Sequence, residues 1–241
     1  AFIYLHPGAI YLHQGDSFLI TELDLGQKIA FAEKTYAGHY TQPREETILD
    51  VLEVNLEKKF QGNQVFFGIV DVTSHVTAYQ KRRIFTGEVL GVEKLDLPPQ
   101  RFITEAFWFN LLETRISHLK LTEKELAGGI HAIEHTAIGL LPAYAMCDRW
   151  DIGGVSTPFH PKLKAPTIFI YDGYAGGIGI ALRGYELFGE VLSTALGQIR
   201  DCECEEGCPS CIQSPKCGNW NEPLDKKAAV AILKGMLFGK D

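Results

Sequence analysis

Five of the chain's six cysteines crowd into one short stretch, and that stretch restricts the fold more than any other feature. They are Cys202, Cys204, Cys208, Cys211 and Cys217. Cysteines placed for burial scatter along a chain; a run spaced C-x-C-x3-C-x2-C does not. Cys208-Pro209-Ser210-Cys211 reads as a knuckle, in which two sulfurs on one tight turn grip one ion. Gly207 and Pro209 supply the turn: one tolerates positive φ, the other fixes φ near −65°. Four thiolates satisfy the tetrahedral preference of Zn²⁺ and leave no position open for chemistry, so the site reads as structural. Few large apolar residues flank it. Metal binding is expected to supply the folding energy, about 10 kcal/mol or more in small zinc modules. The expected ligands are Cys202, Cys204, Cys208 and Cys211. Cys217 stands as an alternate for Cys202 or Cys204, because the primary four share a tight span. Two other chemistries fit. An iron–sulfur cluster also takes four thiolates. A disulfide set would leave the fifth clustered cysteine over. Cys147 stands apart in an apolar stretch and reads as a buried thiol.

With 241 residues, the chain can form one large domain or two small ones. No apolar run approaches a membrane span, and no signal peptide stands at the start, so no membrane partner is expected. The sequence opens at Ala1 and is expected to be a piece of something longer. A net charge of -7 argues against a uniformly basic surface for nucleic acid. It leaves room for a local strip. Lys81-Arg82-Arg83, beside Tyr79 and Phe85, is the dense basic run. On a barrel edge it would contact phosphates; a solvated strand or turn accounts for it equally well. The tyrosines and Trp220 near the knuckle could stack on bases, although core packing is the commoner use.

Residues 1–97 read as β. Residues 2–5, 9–12, 18–25, 28–33, 47–57, 64–72 and 83–92 are short runs rich in β-branched and aromatic residues. Leu52, Val54 and Leu56 alternate with Glu53, Asn55 and Glu57, the pattern of a half-buried strand. Gly15-Asp16, Gly38, Gly62-Asn63 and Gly87 mark turns. Seven strands with no helix between them suggest a small antiparallel β-barrel or sandwich. Leu97-Pro98-Pro99 looks like a boundary, giving a β lobe over 1–97 and a mixed α/β lobe with the cysteine knuckle over 98–241. The fold class is therefore α+β. In the second lobe Ala106, Phe109, Leu112 and Ile116 predict a helix over 104–119. Thr122 predicts the N-cap of a second helix with Leu126, Ile130, Ile133, Ala137 and Leu140 on its apolar side. Gly128 and Gly129 cost that helix about 1 kcal/mol each against Ala, and so suggest close packing on another element. Residues 147–166 read as loop, 167–171 as a strand buried on both faces, 177–200 as a helix, and Leu224-Asp225 as the start of the last helix.

His131-Ala-Ile-Glu134-His135 matches H-x-x-E-H, the inverted zincin pattern. On a helix the two histidines share one face, and Glu134 would serve as general base of a zinc hydrolase. The blander alternative is that these polar residues bond within the fold. No third ligand is evident beyond scattered carboxylates such as Asp148 and Asp151. The loop Asp172-Gly-Tyr-Ala-Gly-Gly-Ile-Gly179 follows a strand and enters a helix like a phosphate cradle. It lacks the Lys-Ser or Lys-Thr of a Walker A loop and the third glycine of a dinucleotide fingerprint. Asp172 is expected to bond the amides at the helix start instead.

Four stretches together resemble one family: residues 6–15, 129–135, 170–177 and 207–219. The last, Gly207-Cys-Pro-Ser-Cys-Ile-Gln-Ser-Pro-Lys-Cys-Gly-Asn219, is the most specific. The chain resembles the C-terminal region of superfamily 2 DEAD/DEAH-box helicases of the mitomycin repair factor type, zinc-binding domain included. The resemblance implies Zn²⁺ on Cys202, Cys204, Cys208 and Cys211. It also implies a parent chain that unwinds DNA with ATP in DNA repair, acting on single-stranded or forked DNA in the cytoplasm, at the nucleoid. Neither G-x-x-x-x-G-K-[ST] nor a D-E-x-H box occurs here. The ATPase core is then a partner supplied by the same longer chain, and this region by itself would neither hydrolyse ATP nor unwind DNA.

Overall fold

Two Gln-Gly pairs turn the chain back on itself. Gln14 and Gly15 have φ of 50° and 86°, and Gln61 and Gly62 have φ of 48° and 81°. Positive φ at both central residues is the two-residue hairpin turn whose twist matches its strands. The first turn joins β1 (Ile10–His13) to β2 (Asp16–Asp24), with His13 opposite Asp16. The second joins β4 (His39–Phe60) to β5 (Asn63–Arg83). The turns fall one residue before the positions expected from the glycines, because glutamine takes the first left-handed place. The structure, a computed structural model, describes residues 2–238, the side chains of Glu113 and Arg115 excepted.

The chain forms two units, each assembled from separate stretches. The first comprises Ala1–Thr47, Ser74–Gln100 and Gly218–Trp220. It is the antiparallel, barrel-like part of an α+β fold. β1, β2 and β3 (Ile29–Thr35) form a meander with a bulge between Ile20 and Glu22. β6 (Val89–Lys94) pairs antiparallel with the end of β5. Residues 2–5 are a helical turn, α1 (Phe2–Leu5), and not the expected strand. Four residues between a terminus and a tight turn carry too little pattern to separate the two. Gly8, at φ 84°, lies so close to the Tyr79 hydroxyl that a Cβ there would collide with it. Trp220 packs by its ring on Arg44, and its Nε1 donates to the Pro43 carbonyl at 3.0 Å.

The second unit comprises Ile48–Thr73, Arg101–Cys217 and Asn221–Asp241. The long strands β4 and β5 thus contribute residues to both units. The first unit's middle stretch ends at Gln100, close to the prolines that suggested a boundary, but residues 48–73 group with the later chain. A sheet in the order β4-β5-β7-β9-β8 includes β7 (Gln100–Asn110), β8 (Ile152–Thr157) and β9 (Thr167–Asp172). β9 pairs antiparallel with both of its neighbours. Beside the sheet lie α2 (Glu113–Ile116), α3 (Glu123–Leu140), α4 (Pro142–Ala145), α5 (Ile180–Glu186), α6 (Phe188–Asp201) and α7 (Lys226–Phe238). Among the described residues, no helix is long and apolar enough to cross a membrane.

β7 overturns the helix expected over 104–119. Residues 106–111 are buried without a break. Phe107 and Phe109 enter the core beneath the helices, while Ala106 and Trp108 enter a second core with Leu49, Val70, Val72 and Phe169. A strand covered on both faces loses the alternation that marks a strand, and its apolar positions then fit a helical period by chance. β9 divides in the same way, with Ile168 and Ile170 on one side and Phe169 on the other. β8 lies inside the stretch read as loop. Its Gly153 sits under the Tyr171 ring and Gly154 against Glu134 and Ile138, so the absence of side chains lets neighbours close over it. The helix expected over 177–200 is two, α5 and α6, separated at Leu187.

α3 begins where expected. Thr122 Oγ1 accepts the Glu125 amide, and Glu125 reaches back to the Thr122 amide at 2.8 Å, a capping box. Gly129 faces α7 so closely that a Cβ would stand 2.8 Å from Ile232 Cδ1. α7 is capped by Asp225, whose Oδ1 accepts the Ala228 amide at 2.8 Å. Phe109, fully buried, meets Phe188 edge-on at 4.9 Å. Phe109→Ala is expected to lower unfolding free energy by about 3–5 kcal/mol. Thr122→Ala, which removes only the cap, should cost about 1 kcal/mol. Chemical denaturation of the two variants measures both values.

Candidate metal centre

α6 ends at Asp201, and Cys202 leaves it with extended backbone, φ −72° and ψ 127°. Gly207, at φ 122°, folds the chain back. The Cys208 carbonyl then accepts the amides of Cys211, Ile212 and Gln213 at 3.0–3.1 Å, while the Cys208 amide points at Cys211 Sγ, 3.3 Å away. This turn sets the two knuckle sulfurs 3.8 Å apart. Cys202 Sγ lies 3.6 Å from both Cys204 and Cys208, and Cys204 Sγ lies 3.5 Å from Cys211. A tetrahedral ion with sulfur at about 2.3 Å requires sulfur–sulfur edges of about 3.8 Å. A disulfide would require about 2.05 Å. The four side chains therefore fit a four-coordinate thiolate-bound metal, and none of them is paired in a disulfide.

The electrostatics of the tetrad suit a cation. Hydrogen bonding from the Ser210 backbone leads in drawing the Cys208 thiol down to about 7. Burial pushes Cys211 up to about 12. So close together, the four cannot all ionise against one another; a dication at their centre removes the conflict. Lys226, at the start of α7 and only 9% exposed, already supplies one positive charge. Its ammonium donates to the carbonyls of Cys202, at 2.6 Å, and Cys204, and lies 3.4 Å from Cys204 Sγ.

Cys217 takes no part in this tetrad. It faces α3, where His131 and His135 stand one turn apart with ring centroids 4.2 Å from each other. Cys217 Sγ is 3.5 Å from His131 Nε2, and the ligand atoms of all three residues lie within 4.8 Å of one another. His131 Nδ1 lies 2.8 Å from the Pro223 carbonyl, and His135 Nδ1 lies 2.8 Å from the Ile212 carbonyl. A carbonyl can only accept, so each Nδ1 carries the proton. For His131, burial opposes the charged form, but hydrogen bonding and charge from Cys217, with Glu134, outweigh it and raise the pKa to about 9. Burial, reinforced by His131, pushes His135 down to about 3. Glu134 is buried outside the cluster and accepts hydrogen bonds from the Ser156 hydroxyl and amide. Asp148 and Asp151, considered as third ligands, cap the turn between them.

The glycine-rich loop after β9 is filled by its own carboxylate. Asp172, fully buried, accepts the amides of Ile178 at 2.6 Å, Ile180 at 3.3 Å and Ala181 at 2.7 Å. An external phosphate would have to displace it from the start of α5. In the basic run, Lys81 pairs with Glu93, and Arg83 with Glu88 at 2.8 Å, all on β5 or beside it. Cys147 is half-buried, and burial raises its pKa.

The family model described as the MrfA Zn-binding domain matches residues 133–212. The chain is 34% identical over 212 residues to YprA of Bacillus subtilis, named as an uncharacterized ATP-dependent helicase; the match covers 88% of this chain and 28% of YprA. It is 43% identical over 111 residues to an uncharacterized protein of Methanocaldococcus jannaschii, covering 45% of this chain and 99% of that one. The crystal structure of the DUF1998 helicase MrfA bound to DNA superposes with a TM-score of 0.64 at 31% identity, over 98% of this chain and 31% of the helicase chain. The chain thus spans under a third of the length of the two helicases it matches. It belongs to the MrfA zinc-binding family, shared with the MrfA and YprA helicases.

Proposed function

We propose that this chain is a zinc-stabilised accessory region of an ATP-dependent DNA helicase that works in DNA repair. The observation that carries the reading is the tetrad itself. Four sulfurs at tetrahedral spacing occur in a segment that overlaps the MrfA Zn-binding match. Cys202, Cys204, Cys208 and Cys211 would hold Zn²⁺, which supplies no chemistry beyond tying their loop into a rigid body. Lys226 holds two carbonyls of that loop in place and offsets the excess negative charge of four thiolates around a dication. The motor would be the ATPase core of the same longer chain: no Walker A or D-E-x-H sequence occurs in these residues. MrfA is bound to DNA in its crystal structure, which supports DNA as the second partner here; single-stranded or forked DNA is the form we propose. The phosphate contacts are assigned to Lys81, Arg82 and Arg83.

Cys208→Ser and Cys211→Ser are expected to reduce bound zinc by one equivalent and to lower the melting temperature by roughly 10 °C, as loss of several kcal/mol does in a chain of this size. Unchanged metal content and stability in both would end the zinc assignment, and a brown chromophore would replace it with an iron–sulfur cluster. Lys226→Met should weaken zinc affinity about 10–100-fold, read by competition with a chelator. Replacing Lys81, Arg82 and Arg83 by alanine should weaken forked-DNA binding and flatten its dependence on log salt by roughly 1 for each phosphate no longer neutralised. Because Lys81 and Arg83 already face carboxylates, an unchanged salt slope would move the DNA interface elsewhere.

A further inference from the structure

The cluster of His131, His135 and Cys217 is a second metal site, we propose, one that binds Zn²⁺ through two imidazoles and one thiolate and pins the segment after the cysteine knuckle to α3. Three independent features point to it. The first is spacing. Zn²⁺ with nitrogen at about 2.05 Å and sulfur at about 2.3 Å requires a nitrogen–sulfur edge of about 3.5 Å. His131 Nε2 and Cys217 Sγ stand 3.5 Å apart. The second is orientation. Histidines that bind metals donate their other ring N–H to a carbonyl or carboxylate, which fixes tautomer and ring direction. Both histidines here do so through Nδ1, to Pro223 and Ile212, and His131 turns its Nε2 toward Cys217. The third is the position of the sulfur. The Asn221 amide donates to Cys217 Sγ from 3.3 Å and holds it facing the two imidazoles.

A groove runs beside the cluster. Ile212, Asn221 and Pro223, which hold the three side chains from outside, also line a surface groove of about 730 Å³. Three protein ligands leave the fourth position to water. Because the Glu134 carboxylate is held by Ser156 outside the cluster, the site is assigned binding and not hydrolysis. The mechanical consequence differs from that of the tetrad. Cys202 to Cys211 close a local loop, whereas His131 and Cys217 lie 86 residues apart in sequence. A metal joining them cross-links distant parts of the chain and removes loop-closure entropy from the unfolded state.

Metal content of the whole purified chain tests the proposal. The wild type is expected to hold two zinc ions per chain. His135→Ala and Cys217→Ser should each leave one, and Cys208→Ser should leave one by emptying the other site. One zinc in the wild type, or two that neither His135→Ala nor Cys217→Ser reduces, overturns it. Should those variants fail to fold, alkylation of the wild-type chain decides, mapped by mass spectrometry at a chelator concentration that leaves its circular dichroism unchanged. Cys217 protected before chelation and modified after it supports the second site. Cys217 modified at one rate throughout overturns it.

Discussion

Four sulfurs held within a few ångströms of one another repel as soon as they ionise, and the loop from Cys202 to Cys211 has little apolar burial to oppose that repulsion. Its shape therefore depends on positive charge at and around the sulfurs. Lys226 supplies part of it from the first turn of α7, and its position is itself fixed: Asp225 caps the helix at the residue before, and Gly128 lets the Leu224–Asp225 backbone approach α3. The cysteine pKa values diverge, Cys208 drawn low chiefly by hydrogen bonding from the Ser210 backbone and Cys211 pushed high chiefly by burial. The four-sulfur centre and the helix packing around it are thus one design. A side chain at Gly128 would move Asp225, and with it the lysine that steadies the loop.

The sheet shows a different constraint. β7 and β9 each face two cores, one beneath the helices and one with Leu49, Val70 and Val72. Strands in that position must be apolar on both sides, which is why Phe107, Trp108 and Phe109 follow one another without a polar break. Asp172 ends β9 at the edge of this layer, and its carboxylate takes three amides of the following turn. A loop that resembles a phosphate cradle in sequence is thereby closed by the protein's own anion.

These two constraints explain what the sequence could and could not reveal. The tetrad was legible because its spacing is local: all four ligands lie within one turn-forming stretch, and no long-range information is needed. The N-cap at Thr122 and the close approach at Gly128-Gly129 were also legible from local sequence. β7 was not, since double-sided burial erases period two, and β8 was not, since paired glycines normally announce a loop. In β8 they serve instead to admit the Tyr171 ring and the side chains of α3. Cys217 was the more instructive failure. Its nearness in sequence to the other cysteines suggested membership of one cluster, while its actual neighbours, His131 and His135, come from a helix far upstream. The H-x-x-E-H pattern named both histidines as metal ligands, but nothing in the local sequence linked them to Cys217.

The segment between α6 and α7 is accordingly governed less by secondary structure than by what its side chains hold. At one end the four thiolates gather around a common centre under Lys226. At the other, Cys217 meets the imidazoles of α3, and the carbonyls of Ile212 and Pro223 fix the direction of those rings. Ser214 and Asn221 bridge the interval, with the Ser214 amide donating to Asn221 Oδ1 at 2.7 Å and Asn221 Nδ2 donating to the Ser214 carbonyl at 3.0 Å. A chain without strand or helix that is fastened at both ends and tied across its middle loses little entropy when a large partner packs against it. Rigidity here comes from side-chain clusters and hydrogen bonds where apolar burial is scarce.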